Sequence, residues 1–259
     1  MGDRLRIPVA VLALVIWALI TVWGVWKPHA PSSIADGVAG GIAWHILGAG
    51  AFLVALVLVM GWKDMGFNAP RPWSSLRLFW FPLLYIGLFL AVSLFVGLPP
   101  AHVIAILALN TLLVGFSEEL MFRGVLFRAL QSRLAIWPAI WLTSILFGSV
   151  HVVNAFTTGD LLGASVQAVT AFMSGVFFLA MVLRTGSIWP SMLFHAGWDF
   201  LLVMTAAGAA SRAGEAASGT SGHLLLVFPL LLIAPNFAYG LFLLRKIGRT
   251  GAMATPAAT

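Results

Sequence analysis

Eight long apolar stretches, separated by short segments rich in proline, glycine and charge, run through this chain of 259 residues. A helix needs about 20 apolar residues to cross the hydrocarbon core of a bilayer, and backbone groups in lipid must bond internally. The stretches therefore predict an all-α, polytopic bundle of about eight transmembrane helices. They cover Ile7–Trp26, Val38–Met60, Leu78–Gly97, Ala101 to about Leu130, Ile136–Val153, Leu161–Leu183, Ile188–Ala207 and His223–Leu244.

The low charge content excludes other classes of protein. Only 8% of the residues are charged, against about 25% in a soluble domain, and the mean hydropathy is +1.03. Such a chain cannot cover a soluble surface, so soluble enzymes, nucleic-acid-binding modules and disordered proteins are excluded. The sequence has no cysteine, which removes disulfides, thiolate ligands and a cysteine nucleophile. We expect the lipid bilayer to be a partner and nucleic acid not to be one.

The basic residues predict how the helices are oriented. With the N-terminus in the cytoplasm, twelve Lys and Arg residues fall on the inner side and two on the outer side, as the positive-inside rule expects. We predict a multi-pass protein of a prokaryotic inner or plasma membrane, with both termini cytoplasmic and the first span kept as an anchor. The inner set is Arg4, Arg6, Lys63, Arg71, Arg77, Arg123, Arg128, Arg133, Arg184, Arg245, Lys246 and Arg249; the outer set is Lys27 and Arg212.

The predicted spans form one membrane-embedded domain over residues 1–249. Its polar motifs lie within about 101–207. Residues 250–259 are small and polar, and we expect them to be a disordered tail. The sequence shows no internal repeat, which argues against the inverted repeats of many transporters.

Four charged residues lie inside the predicted spans and away from their ends: Glu118, Glu119, Arg123 and Asp199. An ionised side chain at mid-bilayer costs about 3 kcal/mol, so four unpaired ones would cost about 10 kcal/mol. Such residues indicate either a functional site that faces water or an ion pair that locks two helices together.

Spacing distinguishes the two neighbouring glutamates. Arg123 follows Glu119 by four residues, which is one helical turn, so we expect these two side chains to pair. Glu118 lies about 100° around the helix from Glu119 and lacks that partner. Glu118 is therefore the candidate general base.

Two histidines on other spans complete the candidate site. His151 lies in the fifth span and His195 in the seventh, with Asp199 one turn after His195. Carboxylates and imidazoles that meet inside a helix bundle suit the activation of water, with or without a metal. Helical rise places them in the inner half to middle of the membrane, and we expect a cavity open to the cytoplasm between helices four, five and seven.

Three motifs in this set resemble those of the CPBP intramembrane proteases. That family includes the type II CAAX prenyl proteases and the bacteriocin-processing or immunity proteins of bacteria. The motifs occur in the family's order, on separate predicted helices. They are the EExxxR-like Glu118–Arg123, the FxxxH-like Phe147–His151 and the HxxxN/D-like His195–Asp199.

The resemblance implies an intramembrane endopeptidase that hydrolyses peptide bonds of membrane peptides or proteins with an activated water. Glu118 would be the base, Glu119 held by Arg123 would support it, and Asp199 would orient the two histidines. The histidines would hold the water, the oxyanion or a metal. Zn²⁺ or another divalent metal on Glu118 and both histidines, and a metal-free mechanism, stay open. Substrates would be CAAX-type prenylated peptides or other C-terminal peptides.

Other functions would use similar residues. An ion- or proton-coupled transporter also places Glu, His, Asp and Arg within the membrane. A non-proteolytic scaffold or immunity protein of the same family would keep the motifs. The sequence lacks the signatures of other intramembrane proteases. Ala171–Gly175 lacks the first glycine of a rhomboid GxSG loop, and Thr157–Asp160 lacks the first glycine of a GxGD motif. The HExxH motif of a zinc site-2 protease is also absent from the sequence.

Overall fold

The computed structural model describes residues 5–23, 40–213 and 222–248, and side chains within them except those of 210–213 and 222–227. Eight long helices occur in these ranges, with shorter helical turns between them and no strand, which confirms the all-α prediction. The helices are α1 (Arg6–Trp23), α2 (Trp44–Met60), α3 (Trp80–Val96), α4 (Ala101–Gln131), α5 (Ile136–Val150), α6 (Leu161–Thr185), α7 (Trp189–Ala213) and α8 (Gly222–Leu244).

Within the described ranges, six helical segments are long and apolar enough to cross a membrane. They are α1, α4, α6, α7, the segment Trp73–Val96 that contains α3, and the segment Ile136–Thr158 that contains α5. Two shorter apolar helices, α2 and the part of α8 from Phe228 onward, complete the bundle. Large apolar side chains such as Leu19, Phe95 and Phe156 point outward, where lipid would cover them. The chain is a polytopic helical membrane protein.

Helix α2 is shorter than the predicted span Val38–Met60, because it begins only at Trp44. The preceding residues are held in a non-helical form by Asn110 of α4, which is fully buried. Its amide nitrogen donates to the Gly41 carbonyl oxygen at 2.7 Å, and its amide oxygen accepts from the Ala43 N–H at 2.9 Å. These bonds replace those that another helical turn would have made.

Helix α7 is longer than predicted. The predicted span Ile188–Ala207 ends where a run rich in Gly, Ser and Ala begins, yet the helix continues to Ala213. Alanine has the highest helix propensity of all residues, so an alanine-rich run extends a helix that packing has already begun. Helix α5 ends at Val150 rather than at Val153 and passes into a 3₁₀ turn, His151–Asn154.

The bundle brings one set of helix ends together. Arg6, at the start of α1, contacts Asp64, which follows α2, at 2.6 Å. The loop after α2 also contacts the α6–α7 turn. There the Ile188 N–H donates to the Gly66 carbonyl oxygen at 2.9 Å. This end therefore carries the basic residues of the α2–α3 loop and of the turns after α4, α6 and α8. Which end faces the cytoplasm stays a prediction.

Arg123 does not belong to that end. Its side chain is fully buried within the bundle, so it cannot count toward the charge asymmetry. The inner set predicted from the sequence thus falls from twelve residues to eleven. Arg4, Lys27, Arg212, Arg249 and the predicted tail 250–259 lie outside the described side chains.

Two glycines allow the helices that carry the motifs to approach closely. A Cβ atom on Gly115 of α4 would lie 2.8 Å from the Met192 carbonyl oxygen of α7. A Cβ atom on Gly148 of α5 would lie 2.5 Å from the Ala168 carbonyl oxygen of α6. Small residues at helix contacts let backbones come together in membranes. Here they bring α7 against α4 and α6 against α5 beside the motif residues.

Candidate active site

The first motif lies where α4 changes its winding. Glu118 and Glu119 end the α-helical part, and the next seven residues, Leu120–Leu126, form a π-helix. All seven are buried, including Arg123. Single π-helical turns inside α-helices are rare and are frequently found at functional sites. Directly before the glutamates, Ser117 accepts a hydrogen bond from the Trp17 indole N–H of α1 at 2.8 Å.

The predicted pair of Glu119 and Arg123 is present. Arg123 Nη1 lies 2.9 Å from Glu119 Oε1, and neither side chain is exposed. The guanidinium also lies against two aromatic rings, with its Cζ 4.2 Å from the centroid of Phe147 and 5.0 Å from that of Phe178. Its Nη2 points to the Gly175 carbonyl oxygen at 3.4 Å. The charge is thus neutralised by one carboxylate and enclosed by aromatic faces.

His195 is surrounded by three carboxylates. Its Nδ1 lies 3.0 Å from Glu119 Oε1. Its Nε2 lies 3.4 Å from Asp199 Oδ2 and 3.7 Å from Glu118 Oε2. Sequence spacing assigned only Arg123 to Glu119, whereas the structure shows that the same carboxylate oxygen also contacts His195. Glu119 therefore joins the first motif to the third.

The exposure of the side chains increases from the inside of this cluster to its outer edge. Glu119 is fully enclosed and the His195 side chain is 6% exposed, but that of Glu118 is 15% exposed and that of Asp199 is 30% exposed. The outer edge of the cluster is thus formed by Glu118 and Asp199. A water molecule or a substrate would meet these two carboxylates first.

His151 approaches the cluster from α5. It begins the 3₁₀ turn, and its Nδ1 lies 2.7 Å from the Phe147 carbonyl oxygen. Its ring meets the Phe147 ring edge-to-face, with centroids 5.0 Å apart, and it interacts electrostatically with Glu118. The Phe147 ring also meets His195 edge-to-face at 6.0 Å. The three motifs are therefore brought together, with Phe147 between the two histidines.

Phe178 is a site residue that sequence reasoning missed. Its ring stacks on His195 with centroids 4.7 Å apart and an angle of 27°, and it also lies against the Arg123 guanidinium. It lies in the long apolar run of α6, where a phenylalanine at the site looks the same as one in the core. Phe178 differs from a core phenylalanine only in its contacts with α4 and α7, and these depend on how the helices pack.

The expected metal site stays a prediction. Among the residues that the structure describes, no three His, Asp or Glu side chains form a ready-made metal site. His195 contacts Glu119 through Nδ1, and its Nε2 faces two carboxylates. Zn²⁺ on Glu118, His151 and His195, and a metal-free mechanism, thus both stay predictions.

Two cavities of the described residues lie away from this cluster. One, of about 380 Å³, is lined by apolar residues of α2 and α4, among them Gly50 and Phe116. The other, of about 300 Å³, lies beside Ser75 and Arg184 at the bundle end that carries the basic residues. Neither includes a motif residue, so the predicted water cavity between α4, α5 and α7 stays a prediction.

Comparison with known proteins agrees with the motifs. Residues 100–201 match the family model described as type II CAAX prenyl endopeptidase Rce1-like. This segment contains all three motifs and runs from α4 into α7. No curated protein and no solved structure matches the chain. Over residues 100–201 the chain is therefore similar to the type II CAAX prenyl endopeptidase Rce1-like family, which confirms the resemblance seen in its motifs.

Proposed function

We propose that this chain is an intramembrane endopeptidase in which Glu118 activates a water molecule for attack on a peptide bond. The observation that carries the proposal is the position of His195, within 3.7 Å of carboxylate oxygens from Glu118, Glu119 and Asp199. Ionisable residues inside a membrane bundle are functional candidates by default. The family match supports peptide-bond hydrolysis as the chemistry.

The contacts of His195 make it a hydrogen-bond donor at both ring nitrogens. Glu119 Oε1 already contacts the Arg123 cation at 2.9 Å, so it accepts and His195 Nδ1 donates. His195 Nε2 lies between the carboxylates of Glu118 and Asp199, which also accept when ionised. A proton on Nε2 faces Asp199 Oδ2 at 3.4 Å and Glu118 Oε2 at the longer distance of 3.7 Å, so its positive charge interacts with both carboxylates. It also leaves one negative charge on the five groups, because three carboxylates then face two cations.

His151 differs from His195 because one of its ring nitrogens is available as a hydrogen-bond acceptor. A backbone carbonyl only accepts, so His151 Nδ1 donates to the Phe147 carbonyl oxygen. In the neutral ring Nε2 is then an acceptor. The two histidines thus offer different groups to a reacting molecule: His151 an acceptor for a hydrogen of water, and His195 a donor for an oxyanion.

The proposed step follows from these roles. A water molecule bound between Glu118 and His151 loses one proton to Glu118 as its oxygen bonds to the scissile carbonyl carbon. The carbonyl oxygen becomes negative and accepts a hydrogen bond from His195 Nε2. Glu118 then gives its proton to the amide nitrogen as the C–N bond breaks. General acid–base catalysis of this kind contributes about 10²–10⁴-fold. No step passes through a metal.

The substrate class we propose is a membrane-associated peptide, with a CAAX-type prenylated C-terminus as the form to test first. This choice rests on the family description. The site residues lie within membrane-crossing segments, so a substrate that is itself anchored in the bilayer is already at the depth of the site.

Reconstituted protein and a labelled peptide test the proposal. Purified protein in liposomes should convert a prenylated CAAX peptide into two fragments, which mass spectrometry identifies by their new termini. The same peptide without its prenyl group tests the substrate class. If no membrane peptide is cleaved, and the liposomes instead take up protons or ions, the chain is a transporter. If neither occurs, a scaffold role replaces the protease.

Phe178 is expected to position His195 for this step. Phe178→Leu should lower kcat with little change in KM, because a leucine offers no aromatic face to the imidazole and the guanidinium. Cation–π contacts in desolvated sites contribute about 2 kcal/mol. Steady-state kinetics of the cleavage reaction provide the measurement.

The neighbouring Phe177→Leu is a matched control for this prediction. Phe177 is equally buried, but it packs on Phe194 and Gly240 rather than on His195. We expect a similar loss of thermal stability in both variants and a loss of kcat in the Phe178 variant alone. An equal fall of kcat in both would mean that Phe178 acts only through core packing.

A further inference from the structure

We propose that the bundle end carrying the basic residues holds a binding site for the phosphate of an anionic lipid, formed by Arg6 of α1 and Arg128 of α4. The two guanidinium groups flank the segment Trp62–Gly66 that follows α2. This site is separate from the proposed catalytic cluster, and it does not depend on the proposed function.

One carboxylate lies near the two guanidinium groups and pairs directly with Arg6. Arg6 Nη2 lies 2.6 and 2.7 Å from the two carboxylate oxygens of Asp64. The Arg128 Nη2 atom lies 4.0 Å from the position that a Cβ atom on Gly66 would occupy, and Arg128 interacts electrostatically with both Asp64 and Arg6. Arg128 Nη1 donates to Gln131 Oε1, which is neutral, at 3.1 Å. Two positive charges thus face one negative charge.

Each arginine also has an Nε–H group that donates no hydrogen bond to the described residues. The Nε atoms of Arg6 and Arg128 are buried and have no hydrogen-bond partner among the described residues. A buried N–H without an acceptor costs free energy, and a phosphate supplies several acceptor oxygens to a forked guanidinium. The remaining positive charge and the two donors therefore call for the same ligand, an anion with several oxygens.

The position in the bundle favours a lipid as the source of that anion. Arg6 begins α1 and Arg128 lies in the last turn of α4, so both are at the level where a helix leaves the hydrocarbon. The Arg6 guanidinium lies 5.3 Å from the ring centroid of Trp62, and tryptophan is enriched at membrane–water interfaces. Apolar side chains of α1 such as Leu12 are exposed and can contact acyl chains. Basic pockets between membrane helices bind anionic headgroups.

Native mass spectrometry of the full-length protein in detergent tests the site. We expect phosphatidylglycerol to be retained on the protein and phosphatidylcholine with the same acyl chains to be lost. Arg128→Gln should reduce the retained fraction about fivefold, the change expected when one basic residue stops attracting an anionic headgroup. Arg133→Gln removes the same charge from an exposed position on the turn after α4, and it should retain the lipid.

The outcomes separate this lipid site from simpler explanations. Equal loss in the Arg128 and Arg133 variants would mean that only net charge matters and would overturn the proposal. Inorganic phosphate that displaces the lipid at equal concentration would assign the site to a soluble anion instead. Arg128→Lys keeps the charge but lacks Nε, so it should fold and retain an intermediate fraction; wild-type retention would exclude the role of Nε.

Discussion

Replacing Glu118 by Gln is expected to lower the rate of peptide cleavage by about 10²–10⁴-fold, the usual contribution of a general base. The amide keeps the shape of the side chain but cannot take a proton from water. The side chain is partly exposed and its contact with His195 is long, at 3.7 Å. The protein should therefore fold normally, and the loss should appear in kcat.

Asp160→Asn is the matched control for Glu118→Gln. Asp160 accepts the Gly163 N–H at the start of α6, and asparagine caps a helix about equally well. This change also removes one carboxylate charge, yet it should leave both cleavage and thermal stability unaltered. Full turnover by the Glu118 variant would assign the base to another residue, and Asp199 is the next carboxylate at the exposed edge of the cluster.

Replacing Arg123 by Ala is expected to destabilise the protein by about 3–5 kcal/mol, because it removes one partner of a fully buried ion pair and leaves three carboxylates with His195 alone. The change also removes a side chain that packs against Phe147 and Phe178. We expect a lower yield of folded protein and a lower midpoint in thermal unfolding followed by size-exclusion chromatography.

A double-variant cycle separates the stranded charge from lost packing. Adding Glu119→Gln to Arg123→Ala removes the unpaired carboxylate, so the double variant should be less destabilised than the sum of the single variants. Arg133→Ala, at an exposed position, serves as the control and should change stability little. Strict additivity of Glu119→Gln and Arg123→Ala would contradict a coupled pair.

The sequence was sufficient to predict those features in which residues of one helix interact with each other or with lipid. Apolar length predicted the helices, and a spacing of four residues predicted the contact between Glu119 and Arg123. The family motifs indicated which helices would meet. Apolar length and residue spacing are local signals, so neither prediction needed any knowledge of how the helices pack.

Contacts between distant helices were not predictable in the same way. Asn110 is one polar residue in an apolar helix, and its role depends on a segment 67 residues away. Phe178 differs from other phenylalanines only because His195 lies against its face. Arg123 was counted as an inner-loop charge because the winding of α4 around it is not visible in the spacing of apolar residues.

The π-helical part of α4 changes what the deletion of one residue does to the helix. A π-turn is closed by hydrogen bonds between residues five apart, so it holds one residue more than an α-turn. Deleting one residue between Glu119 and Arg123 would let α-helical winding replace a π-turn, so the residues after the deletion would keep their direction. The two charged side chains would then be three residues apart instead of four, and their contact would be lost or re-formed at that shorter spacing. The same deletion in an ordinary α-helical turn before Glu118 would instead rotate every later residue by about 100° and turn the buried face of Leu120–Leu126 toward lipid.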